Sequence, residues 1–262
     1  MTPARHRLVV VALLGALLAV LLAPAPGAAQ SKSDAFAGKI PPVSAALYRK
    51  AGRWELGLSA NLSVNDAFYN KYFGGLQLGY HFTETMSLHG ILSGGLVAEA
   101  GSAVVCPSGG SCQPASDHQM WQVPGKISSI SGLEFAWAPV YGKLDMFSEQ
   151  VGHFDLSLLG GLDWIRYQKV VGSSYFTDDQ GNPLASVPTP PTVGTPGVHF
   201  GVGARFFFAQ WIAARLEFKD YLYRVPIPNW QEGGTTKQDL QNQLFTEIGV
   251  SFFFPVNNRP VQ

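Results

Sequence analysis

The sequence predicts an all-β protein, an eight-stranded antiparallel up-and-down transmembrane β-barrel preceded by a cleaved signal peptide. Apolar and polar residues alternate in eight segments of the chain. Because successive side chains of a strand point to opposite faces, this alternation indicates strands whose two faces meet different environments. Charged residues make up only 14% of the 262 residues, against roughly 25% in soluble domains. Beyond the N-terminus, no apolar run approaches the roughly 18 residues of a spanning helix.

The first 29 residues are typical of a secretory signal. Arg5 and Arg7 precede an apolar block from Leu8 to Leu22, which small and turn-forming residues follow. A retained anchor helix is the alternative, but the block is shorter than a bilayer requires. We therefore expect four segments: the signal peptide at 1–29, an N-terminal periplasmic segment at 30–53, the barrel at 54–254 and a C-terminal tail at 255–262.

The strands are predicted from the alternation, which is clearest from Trp54 to Val64. There, six apolar residues at even positions oppose Glu, Gly, Ser and Asn at odd positions. The weakest segment is Ile127 to Tyr141. The other six predicted strands are Tyr72 to Phe82, Leu88 to Ala98, Phe154 to Trp164, Val198 to Phe208, Ile212 to Lys219 and Ile248 to Phe254.

Alternation alone fits a soluble barrel with an apolar interior as well as a membrane barrel with an apolar exterior. The polar faces here are mostly Gly, Ser and Asn with few ions, which suits a narrow lumen better than a water-facing surface. Aromatic residues near the predicted strand ends indicate the girdles that mark membrane interfaces. The predicted girdle consists of Trp54, Tyr80, Trp137, Tyr141, Phe154, Trp211 and Phe254 at one rim and Trp164, Tyr167, Tyr221 and Tyr223 at the other.

The predicted loops differ in length between the two ends, as in bacterial outer-membrane barrels. Inner connections are predicted at 83–85, 142–153 and 209–210, and outer ones at 65–71, 99–126, 169–197 and 226–243. Cys106 and Cys112 lie in the second outer loop, separated by five residues that include Gly and Pro. In an oxidising compartment this spacing favours a disulfide, with two free thiols as the alternative.

The inward positions carry six acids and three bases, which we expect to pair into a plug because an eight-stranded interior is about as wide as its own side chains. A surplus acid is expected to be protonated, hydrated or bonded to His89 or His199. A gated cation path is the alternative. The predicted network consists of Glu55, Glu134, Asp155, Asp163, Glu217 and Glu247 with Arg205, Arg215 and Lys219.

These features predict a structural or surface-recognition protein, with a small porin-like channel as the alternative and an outer-membrane hydrolase third. Catalysis would require a nucleophile, a base and an orienting group at one place, and the nearest pattern is His153 with Asp155. No enzyme activity, cofactor or metal is predicted. The expected partners are outer-membrane lipid, the barrel-assembly machinery and an unidentified ligand of the outer loops. A formal charge of zero argues against nucleic acid.

Several short runs resemble an outer-membrane β-barrel domain family described chiefly from myxobacteria. The runs are GRWEL, NDAFY, YHFTE, WAPVYGK, GHFDLSLLGG and RLEFKDYLY, in that order from residue 52 to residue 223. The resemblance implies an eight-stranded integral barrel, without a reaction or ligand. One departure is the tail PVNNRPVQ after Phe254, since such barrels often end on that aromatic. Polar positions of the family would match Asn65, Asp66, His81, Glu84, Lys143, His153, Asp155 and Asp220.

Overall fold

The computed structural model describes residues 49–106, 110–146, 150–177, 182, 184–228 and 236–255, without the side chains of 143–152 and 173–174. The predicted signal peptide, residues 30–48 of the N-terminal segment and residues 256–262 of the tail lie outside these ranges. Within them, no helix has the length and apolar character needed to cross a bilayer.

Eight long strands form the barrel, and the remaining elements are short and belong to the connections between them. The second loop contains the two-residue strands β4 and β5 and the helix α1, and a 3-10 turn, Ser173–Phe176, lies between β7 and β8. In chain order the strands and the helix are β1 Trp54–Ser63, β2 Tyr69–His81, β3 Met86–Glu99, β4 Val104–Val105, β5 Gln113–Pro114, α1 Asp117–Met120, β6 Ile127–Met146, β7 Gln150–Gln168, β8 Thr192–Ala209, β9 Ile212–Pro228 and β10 Thr236–Phe254.

Each long strand pairs antiparallel with its neighbours, and β1 pairs with β10 to close the ring. Following paired residues once around the ring from Trp54 leads to Leu244 on β10, opposite Val64. The path that starts at Trp54 thus returns at Val64, directly after the first strand and ten residues further along the chain. Such a stagger over eight strands corresponds to a tilt of about 40° and an interior that side chains can fill. The predicted eight-stranded antiparallel barrel is confirmed.

The strands at the end of the chain are longer than predicted. β9 and β10 continue to Pro228 and Thr236, so the predicted outer loop at 226–243 is largely a β-ribbon. The predicted inner connection at 142–153 is wrong as well, because β6 and β7 stay paired as far as Met146 and Gln150. We call the end where β1 begins and β10 ends the terminal rim, and the opposite end the loop rim. Two long connections, 100–126 and 169–191, lie at the loop rim.

The exterior is an apolar belt. Leu58 and Leu158 are 51% and 50% exposed on the outside, whereas Glu55 and Asp155, at odd positions of the same strands, are fully buried inside. A closed ring has no unpaired edges, and an apolar outside avoids the cost of placing polar groups in hydrocarbon. The molecule is therefore a transmembrane barrel of the outer-membrane type. Seven predicted girdle residues face outward: Trp54, Tyr80, Trp137, Phe154, Trp164, Trp211 and Phe254.

Four predicted girdle residues are not in the girdle. Tyr167, Tyr221 and Tyr223 are at most 2% exposed and fill the lumen, because they share the odd-numbered face of their strands with the buried charges. Tyr141 faces inward for a different reason. A bulge between Trp137 and Val140 inserts one extra residue, and such an insertion reverses which side chains face the lumen. The Tyr141 ring accordingly contacts the buried His153 ring.

Candidate functional site

The lumen is filled by three layers of side chains stacked along the barrel axis. One apolar layer, which contains Phe207 and Phe253 and is called the aromatic layer, lies near the terminal rim. An ionic layer occupies the middle, and a second apolar layer lies towards the loop rim. All nine residues of the predicted lumen network lie in the ionic layer or at its edge, and none is more than 6% exposed. The two outer layers are mainly apolar, but Lys71 and Gln243 are also buried towards the loop rim, where Lys71 pairs with Asp66.

Lys219 is the centre of the ionic layer. Its Nζ lies 2.7 Å from a Glu134 oxygen, 2.9 Å from a Glu217 oxygen and 3.2 Å from a Glu247 oxygen. These residues come from β6, β9 and β10, so one ammonium group joins three strands. The single ammonium group of Lys219 is therefore the shared counter-charge of three carboxylates.

Glu55 is the second centre. Its carboxylate accepts hydrogen bonds from Ser251 Oγ at 2.6 Å and from His81 Nε2 at 2.7 Å. Arg205 and Arg215 lie 3.6 and 3.8 Å from it. Arg215 also reaches Glu217 at 3.3 Å, which links this centre to that of Lys219. The network is thus continuous across the middle of the lumen.

Lys50 also belongs to the ionic network, although it lies before the first strand. It precedes β1, yet its Nζ donates to Asp155 inside the lumen, and both side chains are buried. Its backbone N–H donates to Glu84 in the turn between β2 and β3 at 2.8 Å. Sequence reasoning missed this residue, because alternation identifies only residues within strands. Its only sequence signal is a cation a few residues before the first strand.

His199 contacts two acids of the ionic layer. Its two ring nitrogens lie 2.8 Å from Asp163 and 3.1 Å from Glu134, so a doubly protonated ring would bridge both carboxylates. Against six acids the lumen therefore offers Lys50, His199 and the three predicted bases. His89 differs from the expectation, because its ring nitrogens contact Gln77 and Ser87 and no acid in the described part of the chain.

Among the described residues, Glu55, His81 and His89 are best placed to hold a metal ion, since one ligand-type atom of each lies within 4.8 Å of the others. The two guanidinium groups near Glu55 argue against this use. They already compensate the carboxylate, and a divalent ion there would face positive charges in a poorly screened interior. The donor set therefore fits a hydrogen-bonded structural cluster better than a metal centre.

The apolar layer towards the loop rim is a cluster of packed aromatic and aliphatic side chains. Phe73, Tyr221 and Phe245 pack ring against ring, at 5.5 Å between the two phenylalanines and 5.8 Å between Tyr221 and Phe245. The Tyr221 hydroxyl donates to Glu247 at 3.3 Å, which joins the layer to the ionic network. Its other members are Ile127, Ile130, Ile165, Tyr167, Val170, Tyr223 and Val225.

The aromatic layer at the terminal rim is held by Arg53. Its guanidinium lies 5.5 Å from the Phe253 ring and donates to the backbone carbonyls of Phe253 and Pro255. Burial lowers the pKa of Arg53 from its ordinary value, and the carboxylate of Glu84 opposes that shift. Phe207 packs on Phe253 at 5.7 Å between ring centres. The segment before β1 therefore covers the terminal end of the lumen.

The loop 100–126 folds back over the other end. Met120 of α1 is buried, and its carbonyl accepts a hydrogen bond from the Tyr69 hydroxyl at 2.6 Å. Cys106 and Cys112 form a disulfide beside the β4–β5 hairpin. The next long loop is joined to this one, because Val171 N donates to Trp121 O at 3.2 Å.

His153 and Asp155, the nearest approach to a catalytic pattern in the sequence, do not have the arrangement of a hydrolase. Asp155 holds Lys50 and is fully buried. His153 is buried and its ring contacts that of Tyr141. A catalytic acid would have to orient the histidine, whereas this carboxylate is occupied by an ammonium group.

Comparison with known proteins gives similarity in structure without similarity in sequence. No protein-family description matches the chain, and no curated protein matches it, so the resemblance to a myxobacterial family stays a prediction. Among solved structures, the N-terminal barrel domain of Pseudomonas aeruginosa OprF is 10% identical with a TM-score of 0.43, covering 78% of this chain and 98% of that one. The outer membrane protein OprG from the same organism is 12% identical with a TM-score of 0.38, covering 80% and 99%. Neisserial surface protein A is 6% identical with a TM-score of 0.36, covering 77% and 94%.

Proposed function

We propose that the protein is an integral outer-membrane barrel with a closed lumen, whose terminal rim faces the periplasm and whose loops present a recognition surface outside. One observation carries the proposal, namely that three layers of packed side chains occupy the lumen from rim to rim. Apolar side chains pack on both sides of the ionic layer, which is cross-linked through Lys219 and Glu55. A solute would have to displace all three layers to pass.

The loops support the recognition part of this proposal. The loop 100–126 has a disulfide, a small hairpin and a buried methionine anchor, and it is bonded to the next long loop. Ordered loops of this kind present side chains in fixed positions, which lowers the entropic cost of binding. An unconstrained polar loop would not need these anchors.

A small channel is the second candidate, and a specific observation favours it. Several buried polar atoms of the ionic layer have no hydrogen-bond partner among the described residues, for example Asp155 Oδ1, Ser157 Oγ and Arg205 Nη2. Buried groups of this kind are usually satisfied by water. A cavity of about 10 Å³ beside Arg215 and Glu247 has room for about one such molecule. Isolated hydration differs from a conducting path, because the apolar layers lie beyond it on both sides.

Planar-bilayer recordings test the proposal. We expect no discrete conductance steps from the wild-type protein, and steps to appear when Phe73 and Phe245 are both replaced by Ala. Leu158→Ala on the lipid face is the matched control and should remain silent. Charge-selective steps in the wild type that disappear on neutralising Arg215 or Glu217 would establish the channel instead. Heat-dependent gel mobility would verify that every variant is folded.

A further inference from the structure

The outer surface of the barrel carries positive charge at one place near the loop rim. On the outward-facing side of the described strands, cations occur there only at Arg166 of β7 and Arg224 of β9, and both are exposed. Neither guanidinium has a hydrogen bond or an ion pair with any described residue. Asp220, the outward acid on β9, accepts two hydrogen bonds from Asn242, at 2.9 and 2.8 Å.

The two arginines stand on either side of β8. Arg166 pairs with Gly194, and Arg224 comes one residue after the Tyr223–Gly197 pair, which places it beside Pro196. Two strand spacings and an offset of two residues separate their backbones by about 12 Å. Each side chain is long enough to cover half of that distance. Between them, β8 itself contributes only Gly194 and Pro196 to this surface.

Trp164 forms the third side of this surface. It pairs directly with Pro196, and it is 52% exposed at the edge of the apolar belt. Its indole leans towards the loop rim and lies over Gly194, where a side chain on that residue would collide with the indole nitrogen. The indole N–H is a hydrogen-bond donor, so three donor groups border one shallow surface at the membrane interface.

The two guanidinium groups and the indole N–H favour, as a ligand, an anion with several oxygen atoms. Arginine binds phosphate through paired hydrogen bonds, and tryptophan prefers the interface between hydrocarbon and headgroups. A site that begins where the apolar belt ends also meets the headgroup of any lipid that lies against the belt. We propose that Trp164, Arg166 and Arg224 bind the phosphate group of a membrane lipid at the loop rim.

Native mass spectrometry of the folded protein in detergent tests this assignment with two lipids of equal acyl chains, phosphatidic acid and phosphatidylcholine. We expect the wild type to retain phosphatidic acid preferentially. The variant with both Arg166→Gln and Arg224→Gln should bind it at least about tenfold more weakly. Replacing both arginines by Lys keeps the charge but removes the paired hydrogen bonds, and should give a smaller loss. Lys169→Gln, an exposed cation at the end of β7, is the matched control and should change binding less than about twofold.

Three results would overturn the assignment. The first is equal retention by the wild type and the double glutamine variant. The second is a loss in Lys169→Gln as large as the loss in the double variant, because binding would then follow overall charge. The third is binding of inorganic phosphate as tight as that of phosphatidic acid, because the site would then take a free anion and not a lipid.

Discussion

At the scale of single residues, the stability of the ionic layer depends on a few cations that each pair with several acids. Taking charges out of water costs several kcal/mol per ion, and a buried charge is tolerated only when its partners remain. Lys219 serves three carboxylates, whereas Arg215 serves two. The energetic consequence of losing a cation should therefore follow the number of acids that it leaves behind.

Lys219→Met tests this dependence. We expect the free energy of unfolding to fall by about 3–5 kcal/mol, because three buried carboxylates lose their shared ammonium group. Urea titration of the folded protein in lipid vesicles, followed by heat-dependent gel mobility, measures this change. Lys169→Met removes an exposed cation that has no described ion pair, and should alter stability by less than about 0.5 kcal/mol. Equal effects of the two variants would show that the network contributes little.

Lys50 and Asp155 form a pair that a double-mutant cycle can isolate. Lys50→Met should destabilise the barrel, since it leaves Asp155 buried without its ammonium partner. Adding Asp155→Asn removes the abandoned charge and should recover part of the loss, with a coupling energy of about 1–3 kcal/mol. The same vesicle titration provides the four values of the cycle. Additivity within about 0.5 kcal/mol would mean that the segment before β1 does not hold the lumen closed.

At the scale of strands, glycines on the lumen face make room for long side chains from the neighbouring strand. Gly161 of β7 pairs with Glu134 on one side and with His199 on the other. The His199 ring crosses over Gly161 to reach Glu134 at 3.1 Å. This explains why the polar faces are rich in glycine, since a filled lumen needs strand positions without a side chain.

Gly161→Ala should therefore disrupt the ionic layer. The added Cβ would collide with the Leu133 carbonyl oxygen and with the His199 ring, and the backbone oxygen cannot move aside without breaking the sheet. We expect a loss of at least about 2 kcal/mol in the free energy of unfolding. Gly74→Ala provides the control, because its Cβ would point outward with nothing within 4 Å. Chemical denaturation of both variants would refute the argument if they proved equally stable.

At the scale of the whole molecule, periodicity predicted what depends on which face a residue occupies. Strand number, the outward leucines and the inward charges all follow from a period of two, and the structure agrees on each. Periodicity could not predict how far along the barrel axis a residue lies. Tyr221 and Tyr223 have the same parity as Lys219, so parity alone places them in the lumen. Proximity to a strand end suggested the girdle instead, because the continuation of β9 to Pro228 was not predicted.

Two other features of the structure could not be predicted from periodicity, for physical reasons. A bulge shifts parity by one residue, and the Pro139 neighbourhood of β6 contains such a shift, which turned Tyr141 inward. The pairing of Lys50 with Asp155 joins residues far apart in the chain, one of them outside any strand. Contacts of this kind depend on the closed ring, and no local pattern records them.

The environment of the apolar exterior can be measured along a single strand. Tyr72, Leu76 and Tyr80 all face outward on β2, with Leu76 midway between the two tyrosines. Eight residues of a tilted strand rise about 20 Å along the axis, most of the thickness of a barrel's apolar band. A tryptophan placed at 76 should therefore lie near the bilayer centre, and tryptophans at 72 and 80 near its two interfaces.

Single tryptophans at these positions, with the native tryptophans replaced by Phe, should report this arrangement in vesicles of lipids brominated in the middle of the acyl chain. Fluorescence quenching should be strongest for Leu76→Trp and weaker for Tyr72→Trp and Tyr80→Trp. Phe73→Trp points into the lumen and should be quenched least. If position 73 were quenched more than position 76, lipid would touch the inner face, and the closed ionic lumen could not exist. Uniform weak quenching at all four positions would instead place the apolar face in water.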